Sequence, residues 1–246
     1  AATGQPQKQE TFQPLPTGFR QVAFDDLGAL EAAMDDRVTA VMLEPVQGEG
    51  GVNPASAEYL HGVRQLCDER EALLIMDEVQ TGLGRTGKWF GFEHSAVLPD
   101  IVTMAKALGN GVPIGACWAK ADVAAAFAPG DHATTYGGQP LAARAANAVL
   151  DVMIAKDVPK KADRAGKRLR KALAQIDGVA TVRGLGLLIA AELEPGIDAR
   201  DVASKCLELG LVVNAVTPSA LRFAPSLLVT NGEIDEAVAI VAKALS

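Results

Sequence analysis

Apolar runs bounded by turn residues recur in the first half of the chain as TAVMLEP (39 to 45), ALLIMDE (72 to 78), DIVTMAK (100 to 106) and GACWA (115 to 119), with helix-like stretches between them. Short apolar runs of this kind predict buried strands of an α/β sheet. The clearest connecting helix is PASAEYLHGVRQLCDEREA. Pro54 and Ser56 stand near its start, and Tyr59, Leu60, Val63, Leu66 and Cys67 fall on one face. From about Pro140 the texture changes. PLAARAANAVLDVMIAKDV and KKADRAGKRLRKALAQI predict two successive helices, the second with a strongly basic exposed face. TVRGLGLLIAAEL, a helix over DARDVASKCLELG, LVVNAV, ALRFAPSLLVT and a closing helix from Asn231 then predict a smaller α+β unit. The division is placed near residue 155, giving a large unit over 1–155 and a small one over 156–246.

Composition narrows the function classes. With 246 residues, 49% of them hydrophobic, the chain has ample material for a buried core. Its formal charge of -7 comes from interspersed acids and bases. That pattern argues against nucleic acid or an anionic membrane as partner and favours a small molecule or a protein. Cys67, Cys117 and Cys206 are far apart and form no C-x-x-C pair, so neither a disulfide framework nor a zinc site is expected, and a reducing cytoplasm is. The longest apolar stretches, such as LGLLIAA, fall well short of the roughly 20 residues of a membrane span.

Candidate chemistry sits at strand ends, where open α/β sheets bind their ligands. Asp77 directly follows ALLIM, and a carboxylate there needs a partner or a route to water. It could equally be a helix cap or a structural ion pair. Lys106 follows DIVTMA and precedes ALGNGVPIGA, a glycine-rich turn that leaves room for a ligand. Alone it could simply extend to solvent. Together they suit the two poles of a pyridine cofactor: the amine attacks an aldehyde, and the acid keeps the ring nitrogen protonated.

Other patterns are weaker. GLGRTGKW satisfies the G-x-x-x-x-G-K of a phosphate-binding loop, but Trp89 replaces the magnesium-binding hydroxyl, no apolar strand leads into Gly82, and the segment follows the DE strand instead of preceding it. A tight loop at the mouth of the sheet is expected. Glu44 and Glu49 share the loop EPVQGEGG; paired carboxylates also occur in glycosidases, but only 4% of residues are aromatic, so no sugar platform accompanies them. Arg222 lies inside the apolar strand ALRFAPSLL, where it must pair with an anion, either a structural acid or a substrate carboxylate. His61, His94 and His132 have no ligand-like spacing and are expected on surfaces or loops. No G-x-S-x-G elbow is present.

In order and spacing, LEPVQGEGGVNPA, ALLIMDEVQTGLGRTGKWFGFEH, PDIVTMAKALGNGVPIGA, TTYGGQPLA and LRFAP resemble the class III (fold type I) aminotransferases, which use pyridoxal 5'-phosphate (PLP). The leading ATGQPQKQETFQPLPTGF is similar to the acetylornithine aminotransferases in particular. The resemblance implies the C-terminal part of a fold type I large domain, with a mostly parallel sheet, followed by a small α+β domain. It implies that Lys106 forms the Schiff base with the cofactor, Asp77 partners the pyridine nitrogen and Gln80 contacts the phenolic oxygen. Thr135 would reach a neighbouring subunit's cofactor phosphate across a homodimer. Arg222 would clamp the α-carboxylate of glutamate or 2-oxoglutarate, with Glu49 as its pairing partner. The implied reaction is transamination from N-acetylornithine to 2-oxoglutarate, in arginine biosynthesis. Ornithine and 4-aminobutyrate aminotransferases are the alternatives, as is an inactive piece that only docks with partner chains. The chain starts without methionine, downstream of where the family has its Ser-Gly-Ala phosphate turn, so a fragment with missing strands and exposed core surface is the expectation.

Overall fold

The computed structural model describes residues 2–246. Two short helices, α1 (Pro6–Glu10) and α2 (Leu27–Ala33), lead into the first sheet. There follow β1 (Ala40–Leu43), a small hairpin of β2 (Val46–Gln47) and β3 (Asn53–Pro54), helix α3 (Ala57–Glu69), then β4 (Leu73–Asp77), β5 (Ile101–Met104) and β6 (Ala116–Ala119). Each apolar run of the first half thus contains a strand. The sheet order is β1-β4-β5-β6, with β1, β4 and β5 parallel and β6 antiparallel to β5. The register sets Leu43 beside Met76 and Asp77 beside Thr103, so the carboxyl ends of β1, β4 and β5 form one edge.

Helix α3 starts where Ser56 caps it, its hydroxyl accepting from Tyr59 N at 3.1 Å. Its expected apolar face is the buried one: Tyr59, Leu60, Val63, Leu66 and Cys67 pack on Val41, Leu43, Leu74, Met76 and Val102. The strands are covered on that side only. Met42, on the opposite face of β1, is 48% exposed, and Leu73, Ile75 and Ile101 are partly exposed. The apolar runs predict strands buried on both faces, whereas here they alternate because one face has no layer packed against it. At the other end of the sheet, Asp100 is buried and accepts from Leu74 N and Arg64 while pairing with Lys120, each at 2.7 Å.

A short helix α4 (Ala121–Ala124) precedes a stretch, 124–141, in which every residue is exposed. The remaining elements are α5 (Pro140–Ala155), α6 (Val158–Leu173), β7 (Val179–Leu185), β8 (Leu188–Leu193), α7 (Ala199–Glu208), β9 (Asn214–Thr217), β10 (Ala220–Phe223) and α8 (Asn231–Leu245). The second sheet is antiparallel, ordered β7-β8-β10-β9, and its core is shared with α6, α7 and α8. Helix α8 opens with a capping box between Thr230 and Glu233. LVVNAV enters a strand only at Asn214; Val212 before it is 84% exposed. Among the described residues, no helix is long and apolar enough to cross a membrane.

Two apolar clusters join the sheets. Val46 and Val52, from the β2–β3 hairpin, are fully buried against Leu188 and Ala190. Burying each valine contributes roughly 1.5–3 kcal/mol. Leu83, Leu108, Ala146, Met153 and Val158 form the other cluster.

Candidate active site

The carboxyl edge of the first sheet gathers the chemistry. Asp77 ends β4, and its Oδ1 accepts from Val79 N at 3.0 Å and from Thr103 Oγ1 at 3.2 Å. Its second oxygen has no hydrogen-bond partner among the described residues. Lys106 follows β5 with φ +42°, a left-handed conformation that costs a non-glycine residue about 1 kcal/mol or more and turns the chain sharply out of the sheet. Its amine makes no hydrogen bond or ion pair among the described residues, and the side chain is exposed. An acid with a free oxygen and an amine with no partner are the donor set a pyridoxal ring and aldehyde require, so these residues fit that group.

Glu44, one residue beyond β1, stands close enough to both for their charges to act on it. Burial pushes its pKa up, opposed by the hydrogen bond from Gly48 N and raised further by the Asp77 charge.

The hairpin after β1 brings in the second sheet. Because Val46 and Val52 dock on β8, and Arg183 donates twice to Gly51 O at 2.7 and 3.0 Å, the intervening Gly48 and Glu49 are carried to β10. There Arg222, its side chain 13% exposed, donates to Glu49 Oε1 at 2.7 Å and to Gly48 O at 3.0 Å. Gln80 Nε2 donates to the same Glu49 oxygen at 3.2 Å. A Cβ at Gly48 would lie 2.5 Å from the Gln80 amide, so a larger residue there would push that side chain away from Glu49. The Arg222 hydrogen bond is the main reason the Glu49 pKa lies below the ordinary carboxylate value, and Lys8 adds a weaker attraction from 3.8 Å. Within this chain the acid paired with Arg222 is Glu49.

Lys106 and Gln80 also line a cavity of about 810 Å³ with Arg85 and apolar residues including Val149, Met153 and Leu227. Asp77, Glu49 and Arg222 lie outside its lining, so the candidate site is wider than the cavity. Thr135 is not brought to this edge; it lies within the exposed 124–141 stretch.

Three contributors were missed in the sequence. Thr103 orients Asp77 from the neighbouring strand. Glu78, part of the DE pair, is buried and accepts from Gly91 N at 2.8 Å, Phe92 N at 2.9 Å and the Thr81 hydroxyl, holding the loop after β4 closed. Arg85 ties that loop to the second sheet. An arginine set among glycines was the only sequence signal for the last, and neither of the others had one.

The description "Aminotransferase class-III" matches residues 2–245. The chain belongs to the class III aminotransferases. Members of this family use PLP. The chain is 48% identical to an acetylornithine aminotransferase of Caldanaerobacter subterraneus subsp. tengcongensis, over 100% of this chain and 63% of the relative. It is also 48% identical to one of Methanocaldococcus jannaschii, over 96% of this chain and 60% of that one. Among solved structures, an ornithine aminotransferase from Toxoplasma gondii with partial occupancy of PLP at its active site matches with a TM-score of 0.92 and 37% identity, covering 99% of this chain and 59% of that one. The N-acetylornithine aminotransferase from Stenotrophomonas maltophilia K279a matches at 0.84 and 40%, covering 92% and 61%. This class III chain therefore spans about three fifths of the length of the relatives it matches.

Proposed function

We propose that this chain is the lysine-bearing part of a PLP-dependent aminotransferase that moves an amino group from N-acetylornithine to 2-oxoglutarate, giving N-acetylglutamate semialdehyde and glutamate, a step of arginine biosynthesis. The observation that carries the reading is the convergence on one sheet edge of Asp77 and the unpartnered Lys106 with the hydrogen-bonded set Gln80, Glu49 and Arg222. Bound PLP would supply an aldehyde and a ring that stabilises negative charge on the reacting substrate carbon. Lys106 would hold the cofactor aldehyde and, once displaced by the substrate amine, carry a proton on Nζ to and from that carbon. Asp77 would keep the proton on the pyridine nitrogen, and Gln80 would bond the phenolic oxygen. Arg222 would bind the α-carboxylate of 2-oxoglutarate or glutamate, with Glu49 covering it when the amino donor occupies the site.

Thr135, exposed on the 124–141 stretch, would serve the cofactor phosphate of a partner subunit in a cytoplasmic homodimer. Residues 1–155 belong in this reading to the cofactor-binding large domain and 156–246 to the small one. The fold likeness to an ornithine aminotransferase favours ornithine as the second donor to assay.

The test is spectroscopic. PLP is added to the purified chain, followed by borohydride and peptide mapping, beside Lys106→Ala. The expected result is a visible band that depends on Lys106 and a label fixed on that residue. A band of equal strength in Lys106→Ala, or a label elsewhere, overturns the assignment.

A further inference from the structure

Among the described arginines that are not exposed, Arg85 and Arg170 have no carboxylate partner: Arg170 donates to a single carbonyl, Gly184 O at 3.2 Å, whereas Arg85 holds two from separate segments. Arg64, Arg183 and Arg222 each pair with a carboxylate at 2.7 Å. Arg85 has no carboxylate within ion-pair distance among the described residues. Its Nη1 donates instead to two carbonyls, Leu187 O at 3.1 Å and Pro225 O at 2.7 Å. The backbone completes the tie, since Leu187 N donates to Arg85 O at 2.9 Å. Burial alone pulls the guanidinium down to about 10, which still leaves it charged at neutral pH.

The geography gives this tie a consequence. Arg85 lies in the loop that leaves β4 after Asp77 and Gln80. Leu187 immediately precedes β8, and Pro225 lies three residues past Arg222, just beyond β10. The docked hairpin, continuous with β1, is one tie between the second sheet and the first. The loop carrying Arg85 is another, continuous with β4, and it packs through Leu83 against Leu108, two residues beyond Lys106. The approach is close: Gly186, at φ +52°, has no room for a Cβ, which would meet Thr86 C at 2.4 Å and Arg85 O at 2.6 Å. A buried cation satisfied only by carbonyls is a costly way to fill space, and an apolar side chain would fill it without desolvating a charge. What an apolar side chain cannot supply is a simultaneous hold on two carbonyls from separate segments, which the guanidinium gives at the end of a long stem.

We infer that Arg85 is a positioning residue that sets Arg222 at working distance from Lys106 by pinning the β8 turn and the end of β10 to the loop after β4. This rests on the aminotransferase reading. A carboxylate clamp displaced by the order of 1 Å loses as much as a hundredfold in efficiency, although it touches nothing at the reacting carbon.

The experiment compares Arg85→Met and Arg85→Lys with the parent in the cofactor-loaded protein. The expected result for Arg85→Met is a KM for 2-oxoglutarate raised about tenfold or more, with kcat changed by less than about threefold and the Lys106-dependent band intact. Arg85→Lys, which can still bond both carbonyls, should recover most of the KM. Amide hydrogen exchange should quicken over 186–191 and 220–226 in Arg85→Met and stay unchanged over 73–77. A lowered melting temperature with KM unchanged would leave Arg85 a packing residue and overturn the inference. So would a loss confined to kcat, or unchanged exchange over 186–191. If the parent itself shows no Lys106-dependent band, the aminotransferase reading fails, and the exchange result still decides whether Arg85 pins the two sheets. Should Arg85→Met not fold, the KM and exchange of Arg85→Lys against the parent decide: values equal to the parent in both support the pin, and a KM raised as far as an Arg222→Lys control overturns it.

Discussion

Replacing Glu49 with glutamine should tighten the site for the dicarboxylate substrate. Arg222 is largely buried, and its Nη1 is already engaged by Glu49 Oε1 at 2.7 Å and Gly48 O at 3.0 Å. A substrate carboxylate must displace Glu49 to reach it. A charge-assisted hydrogen bond contributes about 1.5–3 kcal/mol, but the Glu49 side chain is 46% exposed, and solvent screening reduces the figure to roughly 1 kcal/mol. Removing that competitor should lower the KM for 2-oxoglutarate about fivefold. The KM for N-acetylornithine should stay the same or rise, since its reacting end offers Arg222 no carboxylate. The assay is the pair of half-reactions, each followed by cofactor absorbance. The effect should be flat from pH 6 to 9: the Glu49 pKa lies below the ordinary carboxylate value, so the pair is lost only as pH falls through that lowered pKa. A KM for 2-oxoglutarate that is unchanged or higher in Glu49→Gln would refute the idea that Glu49 covers the clamp.

Two further changes test the fold around the site. Glu44→Gln keeps the acceptor for Gly48 N but removes a carboxyl whose pKa is raised by burial. Such a group weakens the folded state as pH rises from its unfolded to its folded pKa, so the variant should melt a few degrees higher at pH 8, with the gap closing toward pH 4; equal melting at pH 8 would count against it. Asp100→Ala strands Leu74 N and the well-buried Arg64, and urea denaturation should show a loss of about 3 kcal/mol, with a loss under about 1 kcal/mol contradicting the account.

Much of this protein was legible in its sequence because the signals are local. The apolar runs around 42, 75 and 103 mark the strands, since an apolar run bounded by turn residues is a local feature of the sequence. The face of α3 follows from 3.6-residue periodicity, and its start from Ser56. Asp77 and Lys106 stood out because a charge at the end of an apolar strand needs a reason. Tertiary structure alone decided which face of the first sheet is covered, that β6 runs antiparallel, and that Arg222 meets Glu49 across 173 residues of chain. It also decided the roles of Thr103, Glu78 and Arg85, whose partners are a neighbouring strand, loop amides and two distant carbonyls. Hydrophobic pattern and turn chemistry act over a few residues, so the sequence by itself determined the strands, the helices and the strand-end acid and amine. Ion pairs and carbonyl ties depend on the docking of the two sheets, through Val46 and Val52 on Leu188 and Ala190 and through the Arg85 loop, and that docking brought the second sheet to the carboxyl edge of the first.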